Sequence, residues 1–193
     1  MSEPASAVLP LGGARHQGFV RVAEAGPLGM ISLRADLAAA KTAKAVKAVA
    51  GVALPGQRRI ATKAGRSAGW MSPDELLLVL PRDEVAGALE QIAKAMAGAH
   101  HLAVDVSDAR AVFTLEGAEA REVLAKLCPV DLHPAVFEPG ELRRTRMAQI
   151  ACAFWADDAG NFTVVTFRSV ARYAFDLLSL SAEPGSAPGL YSA

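Results

Sequence analysis

The order of elements readable from Ile31 to Leu80 returns from Phe113 to Phe167, displaced by about 82 residues between Ile31 and Phe113 and about 86 between Leu76 and Phe162. A displacement that drifts so little along the chain is the behaviour of a duplicated unit with small loop differences. The first half offers strands at Phe19 to Ala23 and Gly29 to Arg34, then a helix capped by Asp36. Ala39, Ala43, Val46, Val49 and Ala50 line one side of that helix and Lys41, Lys44 and Lys47 the other, as in a helix laid on a sheet. A short strand at Arg59 to Lys63, a clear one at Glu75 to Leu80 and a helix striped by Val85, Ala88, Leu89, Ile92 and Met96 complete the half.

The second half runs through strands at Leu102 to Val106 and Ala111 to Glu116, a helix opened by Gly117, and one long strand from Arg144 to Trp155. After the Asp158-Ala159-Gly160-Asn161 turn come a strand at Phe162 to Phe167 and a last helix capped by Ser169. The connection lengths favour an α+β fold: two ferredoxin-like βαββα units, each a mostly antiparallel sheet with helices on one face. The units are expected at 17–98 and 99–181, with a flexible N-terminus at 1–16 and a flexible tail at 182–193.

Several function classes are excluded early. Lys plus Arg and Asp plus Glu number 20 each, so no overall cationic field draws in nucleic acid or an anionic membrane. No apolar run reaches the roughly 20 residues of a membrane-spanning helix. The two cysteines, Cys128 and Cys152, form no CxxC pair, which suits a reducing cytoplasm. With His100, His101 and His133 they give no metal-site spacing, and a Cys-His nucleophile has no support in the sequence. Gly12-Gly13 and Gly51 to Gly56 lack the following residues of a phosphate loop.

The neutral total hides a polar distribution. From Lys41 to Arg66 there are seven cationic side chains and no acid, whereas Asp74 to Asp131 holds eleven acids and five bases. The lysines read as a solvated helix face. Arg58, Arg59 and Arg66, in a glycine-dotted loop, are candidates for an anion or an acidic partner. A second basic knot is Arg143, Arg144 and Arg146, where strand alternation puts Arg144 and Arg146 on one face and Arg143 on the other. Pairing with Glu138, Glu141 or Asp157 is an equal alternative. Trp70, followed by Pro73, Asp74 and Glu75, is either an interface anchor or the closure of the first core.

Read together, LGMISLRADL, GVALPG, WMSPDELLLVLP, FRSVARYAFDLL and the long segment from Ala103 to Gly140 ending in CPVDLHPAVFEPG form a recognisable set. In this order and spacing they resemble the gamma subunit of bacterial heterotetrameric sarcosine oxidase, over nearly the whole chain outside its termini. That family is in turn similar to the folate-binding aminomethyltransferase of the glycine cleavage system. The transferases follow their Pro-Gly with a strand, an acidic-glycine hairpin and a strand beginning in paired aspartates. Here Glu141 to Trp155 reads ELRRTRMAQIACAFW, so the hairpin is expected to be missing, and Gln149, Ala151 and Cys152 stand where carboxylate chemistry would be.

The resemblance implies a noncatalytic assembly role in a complex that oxidatively demethylates sarcosine to glycine, forms hydrogen peroxide and passes the one-carbon unit to tetrahydrofolate. FAD, FMN, NAD, tetrahydrofolate and zinc would then sit on the alpha, beta and delta subunits, with no catalytic, cofactor or metal residue on this chain. Its candidate interface residues are Trp70, Asp74, Arg58, Arg59, Arg66, Arg143, Arg144 and Arg146. The alternatives are a stand-alone folate-binding or aminomethyltransferase-like protein, and a regulator holding a small anion on Arg58, Arg59 and Arg66.

Overall fold

A computed structural model describes residues 8–191. The fold is α+β with two antiparallel sheets. The strands are β1 (Arg15–Gln17), β2 (Arg21–Ala25), β3 (Leu28–Ala35), β4 (Ile60–Lys63), β5 (Arg66–Ser72), β6 (Glu75–Pro81), β7 (His101–Asp105), β8 (Arg110–Glu116), β9 (Leu142–Met147), β10 (Ile150–Ala156) and β11 (Phe162–Phe167). The helices are α1 (Ala40–Ala50), α2 (Val85–Ala95), α3 (Ala120–Ala125) and α4 (Ala171–Ser181). One sheet has the order β4-β5-β6-β3-β7, the other β9-β10-β11-β8-β2-β1.

Strand alternation assigns the faces. Ile31, Leu33, Leu76, Leu78 and Leu80 point from the first sheet onto α1 and α2, meeting Val46, Val49, Val85 and Ile92. Phe113, Leu115, Phe154, Phe162 and Val164 do the same beneath α3 and α4 with Val123, Leu124 and Phe175. The opposite faces of the two sheets supply Met30, Leu77, Val79, Val112 and Val165, a third and smaller apolar layer.

Sheet membership does not follow the boundary between residues 98 and 99. β7, which begins the second half, pairs with β3 in the first sheet, and β2, which begins the first half, pairs with β8 in the second. Each half therefore lends its leading strand to the other. Local patterning cannot reveal this, because a strand's alternation says which face it buries and nothing about its neighbour.

Other departures from the sequence reading are local. α1 starts at Ala40 with Ala39 at the N-cap position. Asp36 accepts the Ala38 N–H instead, and its carbonyl accepts the Thr42 hydroxyl. The stretch from Arg144 to Trp155 is not one strand: β9 and β10 form a hairpin in which Met147 pairs with Ile150 around a two-residue turn. That turn is Ala148-Gln149, without the Gly, Asn or Asp that marks such turns, and Ala148 sits at φ 49° in the left-handed region. Because glycine reaches that region without a Cβ clash, Ala148→Gly is expected to stabilise the protein by about 0.5–1 kcal/mol. A shift in urea midpoint at constant slope checks this.

The expected loose termini are held where they are described. The Glu24 carboxylate accepts the Leu11 and Gly13 amides, and β1 pairs along β2. At the other end Glu122, buried on α3, accepts the amides of Leu190 and Tyr191. Residues 1–7 and 192–193 of the expected flexible segments lie outside the described residues.

Candidate functional site

Beside the inter-sheet layer the sheets part into a cleft of about 60 Å³. Ser32, Met71, Glu75 and Leu77 approach from the first sheet, and Arg110, Arg144, Val165 and Phe167 from the second. Glu75 enters because it opens β6 opposite Arg34 on β3. Its Oε1 accepts the Ser32 hydroxyl at 3.1 Å, while Oε2 faces Arg34 Nη2 at 3.1 Å and Arg144 Nη1 at 3.5 Å. Arg110, the first residue of β8, lays its guanidinium 4.3 Å from the Phe167 ring centroid. No carboxylate among the described residues reaches ion-pair distance of Arg110. Burial lowers its pKa, which Glu75 opposes and Arg144 reinforces.

A second centre lies where the halves meet backbone to backbone. The Ile60 N–H donates to the Gly140 carbonyl at 2.9 Å and the Leu142 N–H to the Arg58 carbonyl at 2.8 Å. The two bonds are reciprocal under a step of 82 residues, Arg58 and Gly140 accepting and Ile60 and Leu142 donating. Arg58 and Gly140, the equivalent acceptors, both adopt positive φ. Between them Arg59 Nη1 meets Glu141 Oε1 at 2.8 Å, and Arg143 donates to Glu141 Oε2.

Burial alone would raise the Glu141 pKa. The guanidinium groups of Arg59 and Arg143 outweigh it and hold the carboxyl below its usual range. A carboxyl depressed by folding contributes stability above its unfolded pKa and loses it as pH falls through the folded value. Glu141→Gln is accordingly expected to cost about 2 kcal/mol at neutral pH. The gap to wild type should close as pH falls below about 4. Urea melts of both proteins across the acid range check this, and a gap independent of pH would show that the charge is not the cause.

The residues singled out from sequence do not converge on one patch. Arg59 and Arg143 belong to the Glu141 centre, whereas Arg144 borders the cleft. Arg66 is taken up by a two-pronged pair with Glu84, so Arg58, Arg59 and Arg66 do not surround one anion. Asp74 accepts from Ser72 Oγ at 2.6 Å and Arg34 Nη1 at 2.8 Å, and its pKa is lowered first by the Ser72 hydrogen bond. Trp70 is half-buried against the core beneath α1 and α2. Arg58 and Arg146 are exposed, with no ion-pair partner among the described residues.

Cys128 and Cys152 are buried free thiols, and the neighbouring Cys152 side chain, with burial, pushes the Cys128 pKa up. That keeps the thiol protonated and unreactive. Among the described residues no three of His, Cys, Asp and Glu gather as a metal centre. Sequence reasoning passed over Arg110. The signal was available within the repeat, since the step from Ile31 to Phe113 sets Arg110 against the apolar Leu28.

Residues 34–183 match the family described as "Sarcosine oxidase, gamma subunit family". A sarcosine oxidase subunit gamma from Arthrobacter sp is 35% identical over 115 residues, which are 58% of this chain and 55% of that protein. One from Corynebacterium sp. (strain P-1) is 31% identical over 140 residues, 72% of this chain and 68% of that protein. The chain thus spans little more than half the length of the first of these relatives. Among solved structures, a chain of the heterotetrameric sarcosine oxidase from Corynebacterium sp. U-96, in complex with pyrrole 2-carboxylate, superposes with TM-score 0.78 at 27% identity over 87% of both chains. The glycine cleavage system aminomethyltransferase T from Bartonella henselae superposes with TM-score 0.58 at 13% identity, over 83% of this chain and 46% of that one, a likeness of fold.

Proposed function

The chain belongs to the sarcosine oxidase gamma subunit family, and from that premise we propose that it serves as a noncatalytic subunit of a heterotetrameric sarcosine oxidase. Its partners are then alpha, beta and delta subunits that carry FAD, FMN, NAD, tetrahydrofolate and zinc. The assembly oxidises sarcosine to glycine with release of hydrogen peroxide and transfer of the one-carbon unit to tetrahydrofolate. The observation that carries the reading is the superposition on a chain of the Corynebacterium complex over 87% of each. The carboxylates of the two polar centres favour a structural role as well, since Glu75 and Glu141 each pair with two guanidinium groups of this chain. The architecture reads as two ferredoxin-like units related by internal duplication, with their leading strands exchanged.

A folate-binding reading draws on the likeness to the aminomethyltransferase fold. It is disfavoured by the cleft, whose 60 Å³ falls well short of the roughly 300–1,000 Å³ of pockets that enclose a drug-sized ligand. The hairpin thought missing is present, so on the sequence side only the absent aspartates count against transfer chemistry.

Co-expression with the alpha, beta and delta subunits tests the proposal. The chain is expected to copurify in a stable tetramer, and its purification apart from them, or micromolar folate binding by the isolated chain, would overturn the reading. The exposed Arg58 and Arg146 are assigned to the subunit interface. Arg58→Glu with Arg146→Glu is expected to cut incorporation at least about tenfold by charge reversal, with the melting temperature of the isolated chain unchanged. Full incorporation of the double variant would remove both residues from the interface.

A further inference from the structure

We propose that the cleft between the two sheets binds a small monocarboxylate, the size of acetate or propionate, through Arg110 and Arg144 over the apolar floor of Leu77 and Val165. Charge is the first argument. The side chains lining the cleft include two arginines and one carboxylate, Glu75. Glu75 is already engaged by Ser32, Arg34 and Arg144, so the cleft has one positive charge unanswered.

The second argument is donor supply. A guanidinium offers five N–H donors in a planar fork that matches a carboxylate. Stacking on Phe167 occupies the face of Arg110, and no carboxylate among the described residues pairs with its edge. The free edge of the Arg110 guanidinium faces the cleft with its donors unspent on protein, so an anion entering there would gain charge-assisted hydrogen bonds.

Size and polarity select the class. A free volume of about 60 Å³ suits a ligand of only a few heavy atoms, a water's share of the liquid being about 30 Å³. Leu77, Val165 and Met71 give a short alkyl tail an apolar contact. A phosphate dianion fits poorly, since its second charge would face Glu75. This site is independent of the assembly reading and stands or falls without it.

The test is an NMR titration of the full chain with sodium acetate, set against sodium chloride and sodium phosphate at matched ionic strength. Saturable shifts with acetate alone are expected, with a dissociation constant of about 1 mM, together with saturation transfer from the Val165 methyls to the acetate methyl. Arg110→Gln is expected to weaken binding at least about tenfold, and Arg110→Lys, which keeps the charge and loses the fork, several-fold. Absence of saturable shifts in the wild type would overturn the proposal. So would equal curves with chloride or phosphate, or unchanged affinity in Arg110→Lys, a variant that needs only to retain the fold.

Discussion

A fragment ending at residue 98 is expected to show no cooperative unfolding transition, while a fragment spanning residues 27–106 is expected to regain one. The longer-numbered end decides the outcome, because β7 completes the first sheet along β3, pairing Ile31 to Ala35 with Asp105 to His101. Without it β3 has an open edge, and β2 is left with Val22 exposed because its partner β8 is absent. The loss is that of the whole fold, about 5–15 kcal/mol for a domain. The 27–106 fragment keeps the core beneath α1 and α2 but uncovers Met30, Leu77 and Val79, so its midpoint should lie well below that of the full chain. Urea melts followed by circular dichroism decide, and a sigmoidal transition in the 98-residue fragment would show that the exchanged strands are dispensable.

Phe137→Ala is expected to destabilise the full chain by about 4 kcal/mol, near the middle of the range for deleting a buried ring. Phe137 lies in the connection from α3 to β9 yet is fully buried. Its ring is 5.5 Å from that of Phe154 and 5.6 Å from that of Phe162, centroid to centroid. Arg121 fixes the connection from the other side, donating to the carbonyls of Phe137 at 2.8 Å and Leu132 at 2.9 Å. Removal of the ring therefore opens a cavity that neighbours bonded in place cannot close. Phe137→Leu, which keeps most of the volume, should cost under about 2 kcal/mol. Equal midpoints for the two variants in denaturant would show that the connection collapses freely.

The elements legible in the sequence were those with a strong local pattern. The apolar stripe of α2, the alternation of β3 and β8 and the Asp158 to Asn161 turn before β11 could each be read from adjacent residues. β5 was not, because Ser67, Ala68 and Gly69 look like a loop. Gly69 is small since the other half comes close: a Cβ there would lie 2.7 Å from Leu142 Cδ1. The β9–β10 hairpin was hidden by a turn built on alanine. Site residues failed for a different reason. Ser32, Glu75, Arg110 and Arg144 come from four strands of two sheets, and nothing in the sequence around any one of them names the other three. Arg143 and Glu141 were the exception, being close neighbours in the chain, and their pairing was among the alternatives weighed from sequence.

The ion pair between Arg59 and Glu141 has a meaning that only symmetry brings out. Two identical subunits facing each other across a true two-fold axis must present the same residue at the axis, Arg to Arg or Glu to Glu, and like charges there repel. Carrying both halves in one polypeptide frees positions 59 and 141 to differ, so opposite charges face each other at 2.8 Å. On the reading of the chain as a duplicated unit, the molecule keeps the self-complementary backbone geometry of a homodimer while its side chains have the latitude of a heterodimer. The same latitude lets one half carry Arg110 where the other has Leu28, giving the cleft a chemistry that two equal copies could not have.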